Sequence, residues 1–347
     1  MSTTPASVIL SRITEIEERY DADVLARHGA LRDAYDHSIE KLEAVREALR
    51  SDPPPREVLT LAVAGSLARR EAASISDLDL IIVTSPPRSG EIDVEAIKAW
   101  RNDFCDRLKI DRPNATGVFQ EPICRNHITQ LAGRADEPYG DIAKRVLFLL
   151  ESDWIYNQDD YKALLGQVAD AYSEDVTRDP RKNFVFLLND VVRYFRSLCV
   201  NYEFNKADTD DGKWPIRNVK LRHSRVLMYF SMVATIGGLS REHSAQKIDA
   251  LKALIDMEPL RRMYVAYQLA TDMGYFRIAG AYNSFLHLLS QQTVREELQG
   301  VGYEDRYKSP VFSQLKANSD AISAELLRFY EARRRDWDDR FFEYMII

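Results

Sequence analysis

Apolar residues recur every three or four positions from about Pro5 to Arg50, and Leu31, Tyr35, Ile39, Leu42, Val45 and Leu49 form one stripe. That spacing predicts amphipathic helices. The run "SDPPP" (Ser51–Pro55) stops them, because proline lacks the amide a helix needs. The period then changes. "VLTLAVAG" (Val58–Gly65) reads as a short buried strand ending at glycine, and "LARREAA" suits a turn of helix. "SISDLDLIIVTS" reads as a second strand, with Leu78, Leu80 and Ile82 on one face and Asp77 and Asp79 on the other. "PPRSGE" (Pro86–Glu91) is a loop, Val94–Leu108 is helical, and "ATGVFQEPI" (Ala115–Ile123) supplies a third strand.

Beyond about Tyr139 the pattern is almost wholly helical. Leu188, Val191, Phe195, Leu198 and Tyr202 form one stripe, and further helices are expected near Arg222–Ile236, Ser244–Met257, Arg261–Met273, Tyr275–Ser290 and Ala317–Tyr344. The predicted fold class is α+β in three parts: N-terminal helices over 1–50, a small core of strands and helices over 51–138, and a large helical domain over 139–347.

Charge and composition narrow the partners. A net charge of −7 argues against a general nucleic-acid binder and leaves room only for a local basic patch. The three cysteines, Cys105, Cys124 and Cys199, are too few and too scattered for a disulfide framework, so a reducing cytoplasm is the expected location. Cys124 and His127 have metal-like spacing but no second pair to complete a zinc site. The first twenty residues do not read as a signal peptide, and no apolar run approaches the ~18–20 residues that span a bilayer, so no membrane partner is expected.

The chemistry concentrates in "AVAGSLARREAASISDLDLIIV" (Ala62–Val83). On a strand, Asp77 and Asp79 point the same way, about 6.5–7 Å apart. Two such carboxylates repel unless a cation or solvent screens them, and a divalent, oxygen-preferring ion suits the pair. Gly65 lets backbone approach a phosphate, Ser66 offers a hydroxyl, and Arg69 and Arg70 add positive charge nearby. A phosphate cradle thus faces a metal site across one turn.

The order Gly-Ser, spacer, Asp-x-Asp in "GSLARREAASISDLDL" resembles the signature of the DNA polymerase β-like nucleotidyltransferase superfamily. The Ala-Arg pair, the following Glu71 and the Ser-Asp before the second acid are similar to its protein-uridylyltransferase-like branch. The resemblance implies a small mixed-sheet core in which Gly65 and Ser66 hold the β- and γ-phosphates and Asp77 and Asp79 ligate Mg²⁺, as two ions, with Mn²⁺ as the substitute. The superfamily usually adds a third carboxylate from a later strand. No apolar-acid-apolar triplet marks it here; Glu121 is the first choice and Asp111 the second.

A second candidate segment is "KADTDDGKWPIRNVKLRHSR" (Lys206–Arg225). Lys213, Arg217, Lys220 and Arg225 recur at spacings of three to five, and from Arg217 onward they share a helical face. The resemblance implies that a helical domain closes over the triphosphate, so Lys213, Arg217 and Lys220 are candidates for gripping nucleotide or acceptor; a solvated, salt-bridged face is the alternative. His127, His223 and His287 have no partners at triad spacing and read as structural.

The implied reaction is transfer of NMP from an NTP or dNTP to an acceptor hydroxyl of a protein, RNA, nucleotide or small molecule, with release of pyrophosphate. The length and the helical C-terminal part are similar to bacterial defence-associated nucleotidyltransferases, which makes template-independent oligonucleotide synthesis one version. The contrasting class is a nucleotide-binding regulatory protein with an inactive site. The mixed charged and aromatic end, "YEARRRDWDDRFFEYMII", reads as a helix docked either on the body or on a second copy, and the second alternative gives a homo-oligomer.

Overall fold

The computed structural model describes residues 8–72, 78–86, 92–110, 112, 118–130, 137–204 and 214–346. In chain order the elements are α1 (Val8–Glu17), α2 (Gly29–Ser51), β1 (Val58–Ala64), β2 (Asp79–Thr84), α3 (Val94–Leu108), β3 (Ile123–Cys124), α4 (Tyr139–Leu150), β4 (Asp153–Tyr156) and α5 (Gln158–Tyr172). They continue with α6 (Val185–Phe204), α7 (Trp214–Lys220), α8 (Val226–Leu239), α9 (Ser244–Ile255), α10 (Pro259–Leu269), α11 (Tyr275–Ser290), α12 (Pro310–Ala332) and α13 (Asp339–Tyr344). The protein is α+β, and its chain forms two compact units, Ala34–Arg178 and Met1–Asp33 with Asp179–Ile347.

The first unit is built on a four-stranded mixed sheet of order β3-β2-β1-β4. β1 runs antiparallel to both β2 and β4, and β2 runs parallel to β3. The alternation read from the sequence explains which side is buried where. Leu61 and Val63 of β1 pair with Ile82 and Leu80 of β2. These four join Leu42, Val45 and Leu49 of α2 and Ile97 and Phe104 of α3 in one apolar core. Asp79, Ile81 and Val83 therefore take the opposite face. Of the helical stripe expected before Pro53, Leu31, Leu42, Val45 and Leu49 are buried and Tyr35 and Ile39 are half-buried.

Two features of this sheet depart from the sequence pattern. The third strand is only Ile123–Cys124, because Val118–Glu121 form turns and a bend; the expected start at Ala115 lies outside the described residues. The fourth strand, Asp153–Tyr156, lies beyond residue 139, in a stretch expected to be helical. Four residues are too few to show a period after α4, which is buried from Ile142 to Leu150.

The second unit is helical and discontinuous in sequence. Its centre is α8, buried around most of its circumference, as expected of a helix that is apolar on all sides. α1 buries Ile9, Ile13 and Ile16 within this unit. One long helix was expected near Ala317–Tyr344; two are found, separated at Arg333–Asp338. Ser309 caps the first by accepting from the Phe312 amide, and Asp338 caps the second by accepting from the Arg340 amide. Trp337, in the break, lies on Gly237, where an added Cβ would meet its ring at 2.4 Å. Among the described residues no helix is long and apolar enough to cross a membrane.

His223 sits in a π-helical turn, Leu221–Arg225, between α7 and α8. Its ring is fully buried and stacks on Phe285 at 4.2 Å. Nδ1 lies 2.8 Å from the Val219 carbonyl, and Nε2 lies 3.0 Å from Asn318 Oδ1. Burial lowers its pKa to about 4, outweighing the two hydrogen bonds that favour the charged form. A lowered folded-state pKa makes stability full above the unfolded value of about 6.5 and drains it as pH falls towards 4. The helical unit is expected to lose about 3 kcal/mol over that window, at ~1.4 kcal/mol per pH unit of pKa difference. Urea unfolding at several pH values checks this, and His223→Asn is expected to flatten that slope.

Candidate active site

The Gly65-Ser66 turn stands at the upper end of β1, where the chain passes from strand into the single helical turn Gly65–Ala68. Gly65 has φ +73°, a conformation that side chains with a Cβ rarely adopt. There is also no room for one: an added Cβ would lie 2.5 Å from Asp79 Oδ2 and 3.4 Å from its Cγ. The register explains this approach, because Ala64 pairs with Asp79 and so brings the first residue of β2 level with the turn. The Asp79 carboxylate thus lies directly against Gly65, and Ser66 beside it is partly exposed.

The turn is held from behind by buried ion pairs. Arg69 is 5% exposed, and its guanidinium donates to Glu151 at 2.6 Å and to Glu71 at 3.0 Å. Arg70, at φ +61°, donates to the Leu67 carbonyl at 3.2 Å and to Asp153 at 2.7 Å. Arg46 of α2 reaches the same Asp153 oxygen at 3.2 Å and stacks on Trp154 at 3.8 Å. The Ala72 amide donates to Ser38 Oγ of α2, and the Glu71 amide donates to the Ser66 carbonyl. Asp153 pairs with Val63, so Asp79 and Asp153 flank the end of β1 on its two sides. Arg70 and Arg46 both reach Asp153.

The sequence-predicted residues divide accordingly. Gly65, Ser66 and Asp79 come together. Arg69, read from the sequence as a phosphate contact, turns instead into the buried network and acts as a positioning residue for the turn. The sequence gives no distance signal for Glu151 or Asp153, but their polar "ESD" directly after the apolar run "VLFLL" was a usable hint. Asp77, Asp111 and Lys213 lie outside the described residues.

Glu121 meets a lysine of α3. Its carboxylate lies 2.5 Å from Lys98 Nζ of α3, a contact that raises the Lys98 pKa. Arg101 of α3 holds the preceding residues by donating to the Gln120 carbonyl at 2.8 Å and the Phe119 carbonyl at 3.3 Å. Val83 pairs with Ile123, and counting back along that register would put Glu121 level with Ile81 rather than with Asp79. A buried lysine on α4, Lys144, senses the charge of Glu121 as well as Asp141, while burial itself pulls its pKa down. Glu121 thus has a neighbourhood of lysines.

Arg217 and Lys220 are exposed on α7, in the helical unit. Trp214 starts that helix and is buried against Tyr303 and Phe312. Farther along, Arg222 bonds Asp320 at 2.6 Å and Ser319 at 3.0 Å.

As for metal, Asp79 is an oxygen donor of the hard type that Mg²⁺ takes, and the close, Cβ-free turn beside it fits a phosphate-bearing partner. Among the described residues no three His, Cys, Asp or Glu side chains form a metal-ligand group. Compared with known proteins, the chain matches no protein-family model and no curated sequence.

The buried pairs make a sharp expectation. Arg69→Ala strips a guanidinium from two buried carboxylates and is expected to destabilise the sheet unit by about 3–5 kcal/mol. Arg69→Lys is expected to recover only part, because an ammonium does not reproduce the guanidinium fork. Urea unfolding followed by amide exchange in β1 and β2 measures both.

Proposed function

We propose that the Ala34–Arg178 unit is a magnesium-dependent nucleotidyltransferase that moves NMP from an NTP or dNTP to an acceptor hydroxyl. The observation that supports this reading most is the Asp79 carboxylate packed on the positive-φ Gly65 beside a partly exposed serine. Two segments separated by a spacer in sequence meet there in the order that the nucleotidyltransferase resemblance requires. In this reading Asp79 and Asp77 hold the metal. Bound Mg²⁺ supplies charge neutralisation on the phosphoryl group and lowers the pKa of the attacking hydroxyl. Gly65 keeps the backbone accessible to the triphosphate, and Ser66 donates its hydroxyl to a phosphate oxygen. Arg69 and Arg70 keep the turn in register with β4, so that binding does not have to order it. Template-independent oligonucleotide synthesis in defence against phage is one form of this activity.

A second reading, nucleotide binding without turnover, has one observation in its favour: the Glu121 carboxylate is engaged by Lys98. The two readings separate on a single assay. The full chain is incubated with α-labelled NTPs and dNTPs and Mg²⁺, alone and with lysate, and labelled protein, RNA and free products are resolved. Turnover is expected, and Asp79→Asn is expected to lower it by about 10²–10³-fold, the scale for losing one charge-stabilising group. Gly65→Ala is expected to lower it comparably, because its Cβ would displace the Asp79 carboxylate. Turnover equal in wild type and Asp79→Asn contradicts the proposal. Saturable nucleotide binding with no product supports the second reading.

A further inference from the structure

Seven arginines and lysines are buried among the described residues. Six of them, Arg46, Arg69, Arg101, Arg145, Lys247 and Arg262, donate to carboxylate, carbonyl or amide oxygens. The seventh is Lys144, 7% exposed on α4. Its side chain makes no hydrogen bond or ion pair with any described residue. The contrast is sharpest with its neighbour in the chain. Arg145 donates to both Glu137 oxygens, to the Tyr172 hydroxyl and to the Gln130 carbonyl. Lysine is almost never buried without a partner, because an ammonium taken out of water needs both hydrogen bonds and a counter-charge.

The surrounding charges do not supply what Lys144 lacks. Burial pulls its pKa below that of a free lysine, and Asp141 and Glu121 offset only part of this from a distance. Both carboxylates face other groups. Glu121, which is exposed, lies 2.5 Å from Lys98 of α3, and that lysine also meets Glu95 at 3.1 Å. Asp141, partly exposed on α4, lies 3.5 Å from Nδ1 of His127 in the short helix Arg125–Thr129. The rim of this cluster is therefore engaged, and the ammonium at its base keeps its own charge. That ammonium is not sealed in, since Lys144 Nζ is not among the partnerless polar atoms closed to solvent.

The chemistry of an occupant follows. Water can accept from the ammonium but brings no charge to offset it. A metal ion is repelled by it. An oxyanion supplies both, because its oxygens accept and its charge cancels that of the lysine in one charge-assisted bond. We infer that the cluster bounded by Glu121, His127 and Asp141 is a binding site for an oxyanion, the phosphate or carboxylate group of a small molecule, with the buried Lys144 ammonium as its anchor. The site is separate from the Gly65-Ser66 turn and does not depend on the transferase reading.

The test is isothermal titration of the full chain with inorganic phosphate, pyrophosphate and acetate in magnesium-free chloride buffer. Saturable binding of at least one is expected. Binding of the two phosphates alone identifies a phosphate ligand, and binding of acetate as well identifies the wider oxyanion class. Lys144→Met, which keeps length and removes the charge, is expected to weaken binding about tenfold or more, the scale of one charge-assisted hydrogen bond. Its melting temperature is expected to be unchanged or higher, because a buried charge without a partner is removed. If that variant fails to fold, acetylation of the wild type decides: saturating anion is expected to protect Lys144 and not the exposed lysines. Asp79→Asn is expected to bind the anion unchanged, which separates this site from the proposed transferase site. No saturable heat with any of the three anions overturns the inference. So does undiminished binding in a folded Lys144→Met, acetylation of Lys144 unaffected by the anion, or binding lost in Asp79→Asn.

Discussion

The close approach of Asp79 to Gly65 is the constraint on which the sheet unit's upper end depends. Two separate demands fall on one residue: a φ of +73° and a space with no Cβ in it. Only glycine meets both without strain. The Ala64–Asp79 register creates the second demand, and that register is itself fixed by burial. A slip of one residue would move Leu80 and Ile82 out of the apolar core and Asp79 into it. Hydrophobic alternation on β2 thus aims a carboxylate at a turn with which it shares no sequence proximity.

Around that point the charges are distributed unevenly. Asp153, on one side of β1, is gripped by Arg70 and Arg46, and Glu151 and Glu71 are gripped by Arg69. These pairs tie α2, the turn and β4 into one framework. Buried pairs of this kind add little net stability over well-packed apolar residues, but they are specific in geometry. Here that specificity holds the backbone of Gly65 and Ser66 where a triphosphate would have to meet it in the proposed reaction.

Much of this was legible in the sequence. The pattern in "SDLDLIIV" pointed to the strand and to the core-facing side of Leu80 and Ile82, which the structure shows over Asp79–Thr84. The helix Tyr275–Ser290 was readable to its ends. Three things were not. β3 and β4 have two and four residues, too short to carry a period, and they depend on pairing with β2 and β1. The destination of Arg69 depends on Glu151, which lies 82 positions later and joins it only in the fold. The partner of Glu121 was hidden for the same reason: Lys98 reads as one more exposed helical lysine until α3 packs against the sheet. Local pattern reports which face a residue takes, and only tertiary packing reports what it meets there.

The two-part origin of the helical unit has a consequence for how the chain is made. Ile9, Ile13, Ile16 and Tyr20 leave the ribosome early, yet partners such as Tyr264 and Tyr275 belong to α10 and α11, synthesised more than two hundred residues later. At ordinary translation speeds of ~5–20 residues per second, those early apolar side chains wait on the order of ten seconds or longer. The sheet unit is continuous from Ala34 to Arg178, so all of its strands are made before α10 begins. The order of synthesis therefore separates the two halves in time. Until then the apolar face of α1 has none of the later helices of its own unit to pack on.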